Sequence, residues 1–163
     1  MQRVGFTLAI VLVAAVAALA QQPVATSGGA AAPAIFIPSE ANWGPAPDVL
    51  PSGAQFVVVD GDPMGTGPYT VRLKLPDGYK LAPHWHPKDE AVTVLDGNFL
   101  VGMGDQFSES SLKTLPADSY GKMPANMHHF AATKGETTIQ ISGMGPFQMT
   151  YVNASDDPRN QKK

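Results

Sequence analysis

The sequence predicts an all-β single domain, an antiparallel sandwich or barrel, and three observations predict it. From Ile35 onward short apolar runs alternate with Gly/Pro/Asp turns; no stretch keeps a helical period for long; and the chain carries 16 Gly and 15 Pro. A turn-rich chain of this kind suits many short strands better than packed helices.

The chain opens with a segment that reads as an export signal. Met1-Gln2-Arg3 gives a short positive start, residues 6–19 are almost wholly apolar, and Ala18-Leu19-Ala20 is a small-x-small cleavage site before Gln21. The apolar run, about 14 residues, is shorter than the roughly 20 needed to span a bilayer as a helix. Residues 1–20 are therefore expected to be a signal peptide that sends the protein to the periplasm or outside the cell; a retained membrane anchor is the alternative. Residues 21–34 (QQPVATSGGAAAPA) are small and uncharged, the composition of a flexible linker.

The expected domain covers residues 35–152. Its candidate strands are residues 34–37, 55–60, 69–75, 90–95, 98–103, 119–123, 128–132, 137–142 and 147–152, each a β-favouring run closed by turn residues. Residues 106–115 (QFSESSLKTL) are the one candidate for a helical turn or long excursion. Residues 153–163 (NASDDPRNQKK) read as a polar, loosely packed tail.

Charge and cysteine content exclude several functions. The formal net charge of -3 becomes -4 once Arg3 is removed, and no basic run is present, which argues against nucleic acid as a partner. Cysteine is absent, so neither disulfides nor thiolate ligands or nucleophiles are available. The 143 residues left after cleavage suffice to bury one core.

The stretch that organises the chain is residues 78–97, GYKLAPHWHPKDEAVTVLDG. On an extended strand residues two apart face one side, so His84 and His86 can aim two imidazoles at one point while Trp85 faces away. Pro87, Lys88 and Asp89 read as a short turn that returns the Glu90 carboxylate to that point. Imidazoles with one carboxylate make a site suited to iron, manganese, nickel, cobalt or zinc. A pair of surface histidines beside a solvated Glu90 is the other reading.

The spacing Gly78, five residues, His84-x-His86, three residues, Glu90, six residues, Gly97 resembles the first signature motif of the cupin superfamily at every position. Residues 118–133 (DSYGKMPANMHHFAAT) resemble the second motif through Pro124-x-Asn126-x-x-His129. Asp118 and Asn126 stand where that motif has glycines, and Thr133 where it closes on asparagine; Asn tolerates the left-handed backbone such a glycine adopts. Adjacent strand residues face opposite ways, so only one of His128 and His129 can point inward, and the spacing from Pro124 selects His129.

The resemblance implies a cupin jelly-roll β-barrel (double-stranded β-helix), with one divalent transition metal held by His84, His86, Glu90 and His129, and often a homodimer. Two further residue groups follow from strand arithmetic. If Lys134-Gly135 closes a two-residue hairpin, Gln140 lies opposite His129 and can orient a substrate or a metal-bound water; an outward polar residue is the other reading. If Asp96-Gly97 closes another, Met103, Val101 and Phe99 share a face with Glu90, Val92 and Val94 and line an apolar pocket near the metal.

The superfamily hosts many activities, so fold does not fix function. One reading is an exported metal-dependent oxygenase or lyase acting on a small organic molecule, since four protein ligands on a six-coordinate ion leave two positions. The rival is a noncatalytic module that binds a metal or small ligand and reports it. An epimerase-type barrel without metal would not need the HxH and Glu set.

Overall fold

The computed structural model describes residues 33–161; the expected signal peptide and all but the end of the linker lie outside the described residues. The described chain is an antiparallel β structure with four short 3-10 turns and no α-helix, and none of its helices is long and apolar enough to cross a membrane. Nine strands form: β1 (Gly44–Pro45), β2 (Gln55–Gly61), β3 (Pro68–Leu75), β4 (Lys80–Trp85), β5 (Glu90–Met103), β6 (Lys113–Pro116), β7 (Tyr120–Met123), β8 (His129–Met144) and β9 (Thr150–Tyr151).

Two long strands carry the architecture. β5 pairs with β8 along its whole length, from Glu90↔Gly143 at one end to Met103↔His129 at the other. The register slips around Asp96, close to where Gly97 (φ 79°) and Gly135 (φ 79°) put both chains in a left-handed turn. The ribbon bends there, and its halves enter two faces. One half of β8 continues through β3, β2 and β1, with β7 beside β5; the other half continues through β4 and β9, with β6 beside β5. The apolar residues between the faces form the core, including Leu75, Val92, Val94 and Ile139, each at most 2% exposed. This is a curled double-layer β structure of jelly-roll type.

The ribbon departs from the sequence expectation in an instructive way. Residues 90–95 and 98–103 do not pair with one another across a hairpin, nor do 128–132 and 137–142; each pair of runs is one continuous strand that bends at a left-handed glycine. β4, absent from the expected strands, pairs with β8 through a register irregularity between Leu81 and His84 that accommodates Pro83. Residues 34–37 form no strand: they precede a 3-10 turn at Pro38–Glu40, and Phe36 lies under the Arg72 guanidinium, 4.6 Å from its ring centroid. Of residues 147–152 only Thr150–Tyr151 is strand. The tail is more ordered than a polar composition suggests: Ala154–Asp156 and Pro158–Asn160 are 3-10 turns, and buried Asp157 accepts from both the Arg159 backbone N–H and its guanidinium.

Candidate metal centre

The folded ribbon has a direct consequence for the site. Glu90 and His129 begin at opposite ends of the β5–β8 ladder, which if straight would hold them roughly 40 Å apart at about 3.3 Å per residue. Bent, it brings Glu90 Oε2 to 3.5 Å from His129 Nε2. β4 delivers the remaining groups: His84 pairs with His129 across the ladder, and His86 follows just beyond the strand end, with its Nε2 3.5 Å from Glu90 Oε1. One ligand atom from each of His84, His86 and His129 lies within 4.8 Å of the others. All four residues are buried, at 3 to 8% exposure.

Backbone hydrogen bonds decide which nitrogen of each ring faces inward. His84 Nδ1–H donates to the Ala82 carbonyl at 2.8 Å, His86 Nδ1–H to Gln148 at 2.7 Å, and His129 Nδ1–H to Met127 at 2.9 Å. A carbonyl only accepts, so the proton of each neutral imidazole sits on Nδ1 and the lone pair is on Nε2. His86 Nε2 and His129 Nε2 are buried with no hydrogen-bond partner. Orphaned acceptors in a closed interior are costly, about 1–3 kcal/mol each, unless something electrophilic meets them. Groups each roughly 2.1 Å from one ion stand about 3 to 3.4 Å apart, close to the 3.5 Å seen here. The residues thus fit a cation by tautomer, spacing and donor type.

The electrostatics agree. Burial, and then the neighbouring His129, lower His84 to about 3, so it is neutral at ordinary pH. Burial acts to raise Glu90, but the surrounding imidazoles, His129 foremost, outweigh it and hold the carboxyl below its usual range. A carboxyl held low among three buried imidazoles favours a cation at the point they share.

A pH dependence follows for the metal-free protein. Below the ordinary histidine value of 6.5 the unfolded chain takes up a proton on His84 that the folded chain refuses until about 3. Glu90, also lowered on folding, acts in the same direction once the pH falls below 4.5. Stability is therefore lost as pH drops, by up to about 1.4 kcal/mol per unit for the His84 proton. Urea midpoints in chelator at pH 7, 5.5 and 4 should decline steadily; a constant midpoint would contradict a buried neutral His84.

The structure separates the two adjacent histidines. His129 is 3% exposed and faces the site. His128 faces out, its Nδ1 2.6 Å from Asp105 Oδ1 and its ring stacked on Trp85 at 6.5 Å. The two residues that stand at glycine positions of the second motif both adopt left-handed backbone, Asp118 at φ 67° and Asn126 at φ 62°. Asn126 N–H then donates to the His86 carbonyl at 2.7 Å, and Ala125 N–H to Asp89 Oδ1 at 2.9 Å, so the turn before His129 is tied to the loop bearing His86 and Glu90. Thr133, in place of the motif's asparagine, bonds Tyr79 N–H and the Pro76 carbonyl and holds β8 to the β3–β4 turn.

The remaining site expectations divide. Phe99 and Val101 line a small cavity of about 40 Å³ together with the three histidines and Glu90. Met103 does not: it ends β5 immediately before Gly104 turns the chain away, and it is 50% exposed. Gln140 does not face the site either. Because β8 runs on through Gly135 without folding back, Ile139 and Ile141 keep the inward positions, and Gln140 pairs outward between Arg72 and Thr93. Its Oε1 accepts from Arg72 Nε at 3.0 Å. Sequence reading also missed Tyr69 and Phe147. Tyr69 borders a recess with His86 and Glu90, and burial, then the Glu90 charge, push its phenol up to about 12. Phe147 lies 5.5 Å from the His86 ring.

Comparison with known proteins agrees with this architecture. Residues 32–148 match the family model described as the ChrR cupin-like domain. A candidate acetylacetone dioxygenase from Methylibium petroleiphilum PM1 superposes with a TM-score of 0.58 at 20% identity, over 76% of this chain and 84% of that one. KdgF from Halomonas sp. gives 0.54 at 20% identity, over 70% and 96%. The polyketide cyclase RemF from Streptomyces resistomycificus gives 0.54 at 16% identity, over 64% and 75%. No curated protein matches the chain. At these identities the superpositions show the fold, and the family model, covering most of the chain, shows the membership: the chain belongs to the cupin superfamily, in the ChrR cupin-like domain family.

Proposed function

We propose that His84, His86, Glu90 and His129 hold one divalent transition metal and that this centre serves a metal-dependent reaction, of oxygenase or lyase type, on a small organic molecule. The observation that carries the reading is the pair of buried, unpartnered Nε2 atoms whose tautomers are fixed by backbone carbonyls, set against Glu90. Three imidazole nitrogens and one carboxylate oxygen suit iron, manganese, nickel, cobalt or zinc. When bound, such an ion supplies Lewis acidity or oxygen activation. The chain's own part is to hold it rigidly through the Nδ1–H bonds, and to keep water scarce with an apolar shell that includes Phe99, Val101 and Ile139. A relative in fold named for acetylacetone and another named for a polyketide support small oxygen-rich organic molecules as the substrate class.

A noncatalytic binding module is the second reading, favoured by one observation: among the described residues, the proposed ligands are the only polar side chains lining the small cavity. Oxygen uptake and product formation by the iron(II)-loaded protein on diketones, diols and phenols test the first reading. Turnover supports it; tight one-to-one binding without turnover across the panel favours the module. From the export-signal pattern of residues 1–20 we further propose that the centre works in the periplasm or outside the cell. A mature N-terminus at Gln21 in protein from the native host is the expected result.

A further inference from the structure

A cleft of about 590 Å³ opens beside the small cavity, and the two share the walls made by Leu50, Leu73, Ile141, Phe147 and Met149. The volumes assign different tasks. The inner space, about 40 Å³, admits only a head group of a few atoms, whereas the cleft falls in the range of sites that bury a whole small molecule. Phe56, Val71 and Tyr69 line the cleft and not the inner cavity. Its charged members, Asp48 and Arg159, offer little to an anionic ligand. The Arg159 guanidinium is already committed to Asp157, with Nε–Oδ1 at 2.9 Å and Nη2–Oδ2 at 2.6 Å.

Tyr69 stands at the seam. It lines the cleft and also the recess that contains His86 and Glu90, and its ring meets Phe147 edge-on at 6.3 Å. Among the described residues its hydroxyl has no hydrogen-bond partner, although the other two buried tyrosines, Tyr79 and Tyr151, donate to the Pro51 and Val49 carbonyls. The hydroxyl lies so close to Gly143 that a β-carbon there would stand 3.0 Å from it, so the absence of a side chain at Gly143 leaves room for it.

Resting on the metal-centre reading above, we propose that the cleft receives a small organic molecule with an apolar, aryl-sized body and an oxygen-bearing end, and that the Tyr69 hydroxyl donates a hydrogen bond to that end as it enters the inner cavity. The body packs on Phe56, Val71 and Phe147, and only the head group passes the shared wall. Tyr69 is a positioning residue for ligand oxygen, and Phe56 sets the preference for an apolar body.

Two hydroxamates with the same chelating head test this. Cobalt(II)-loaded protein is titrated with benzohydroxamate and acetohydroxamate, following heat and the visible cobalt spectrum. Benzohydroxamate should bind at least about tenfold more tightly, a difference of about 1.4 kcal/mol. Phe56→Ala should shrink that advantage below about threefold without changing acetohydroxamate affinity or cobalt content; Val71→Thr, which keeps side-chain shape, should act in the same direction. Tyr69→Phe should weaken both probes alike, about 3- to 10-fold. Equal affinity of the two probes for cobalt-loaded wild type, or variants indistinguishable from it, overturns the cleft assignment and leaves the metal reading standing. Failure to take up cobalt overturns both. Probe binding that dissociates an oligomer, in place of simple one-to-one binding, would show that the cleft seats a second copy of the chain, and would also overturn the proposal.

Discussion

His129→Ala is expected to weaken metal binding by at least about 100-fold, while His128→Ala leaves it within about twofold. Groups that merely orient a metal ligand are worth about 10- to 100-fold in affinity, so loss of a ligand should cost no less. The neighbouring variant controls for fold, charge and local sequence, because His128 faces solvent against Asp105. Stability should respond in an unusual pattern. In chelator, His129→Ala removes a buried orphaned acceptor but opens a void, two effects of about 1–3 kcal/mol and opposite sign. The metal-free variant and metal-free wild type should therefore melt within a few degrees of each other. With metal at 1,000 times its dissociation constant, wild type gains about 4 kcal/mol and the variant almost nothing. Melting curves with and without metal check both halves; a variant that is badly destabilised in chelator would mean that His129 is an ordinary core residue.

The second large effect is expected at Gly97. Its φ of 79° is left-handed, and a β-carbon there would collide with the Glu136 carbonyl and stand 2.8 Å from the Thr137 Cα, both backbone. Backbone cannot yield as a flexible side chain can. Gly97→Ala should cost about 3 kcal/mol or more, with a melting point lower by about 10 °C. Gly78, the other glycine of the first motif, is also left-handed at φ 68° but has open space around it, so Gly78→Ala should cost only about 1 kcal/mol. Folded Gly97→Ala protein should also hold metal less tightly, because the bend at Gly97 is what lets the ends of the β5–β8 ribbon meet. Equal costs at the two glycines would show that the bend tolerates adjustment and is not what positions Glu90.

These two residues also show how much could be read before the structure. The HxH-to-Glu spacing places three donors on one turn of chain, and local strand geometry suffices to aim them. Strand geometry says that only one of His128 and His129 points inward, and the resemblance to the second motif selects His129; that resemblance, through its glycine position, is also what points to left-handed backbone at Asn126. What local reading could not distinguish was a hairpin from a bend. Asp96-Gly97 and Lys134-Gly135 have the residues of a two-residue loop, and whether the chain folds back or runs on depends on which distant strand takes up the ladder. Once the bends were read as hairpins, the parity of β8 was wrong and Gln140 was turned inward. β4 is absent from the expected strands; it carries Pro83, which lacks a ladder N–H, and a register irregularity in the pairing absorbs it. Tyr69 was missed for a different reason. The alternation of Tyr69, Val71, Leu73 and Leu75 marks an inward face, but nothing local says that one end of that face adjoins Glu90.

The account rests on four side chains sharing one ion, and anomalous diffraction at the absorption edge of the metal present in protein from its native host tests that most directly. We expect a single strong peak per chain, about 2.0–2.3 Å from the Nε2 atoms of His84, His86 and His129 and from a Glu90 oxygen. A folded protein with no such peak, or with its metal bound elsewhere, would contradict the account.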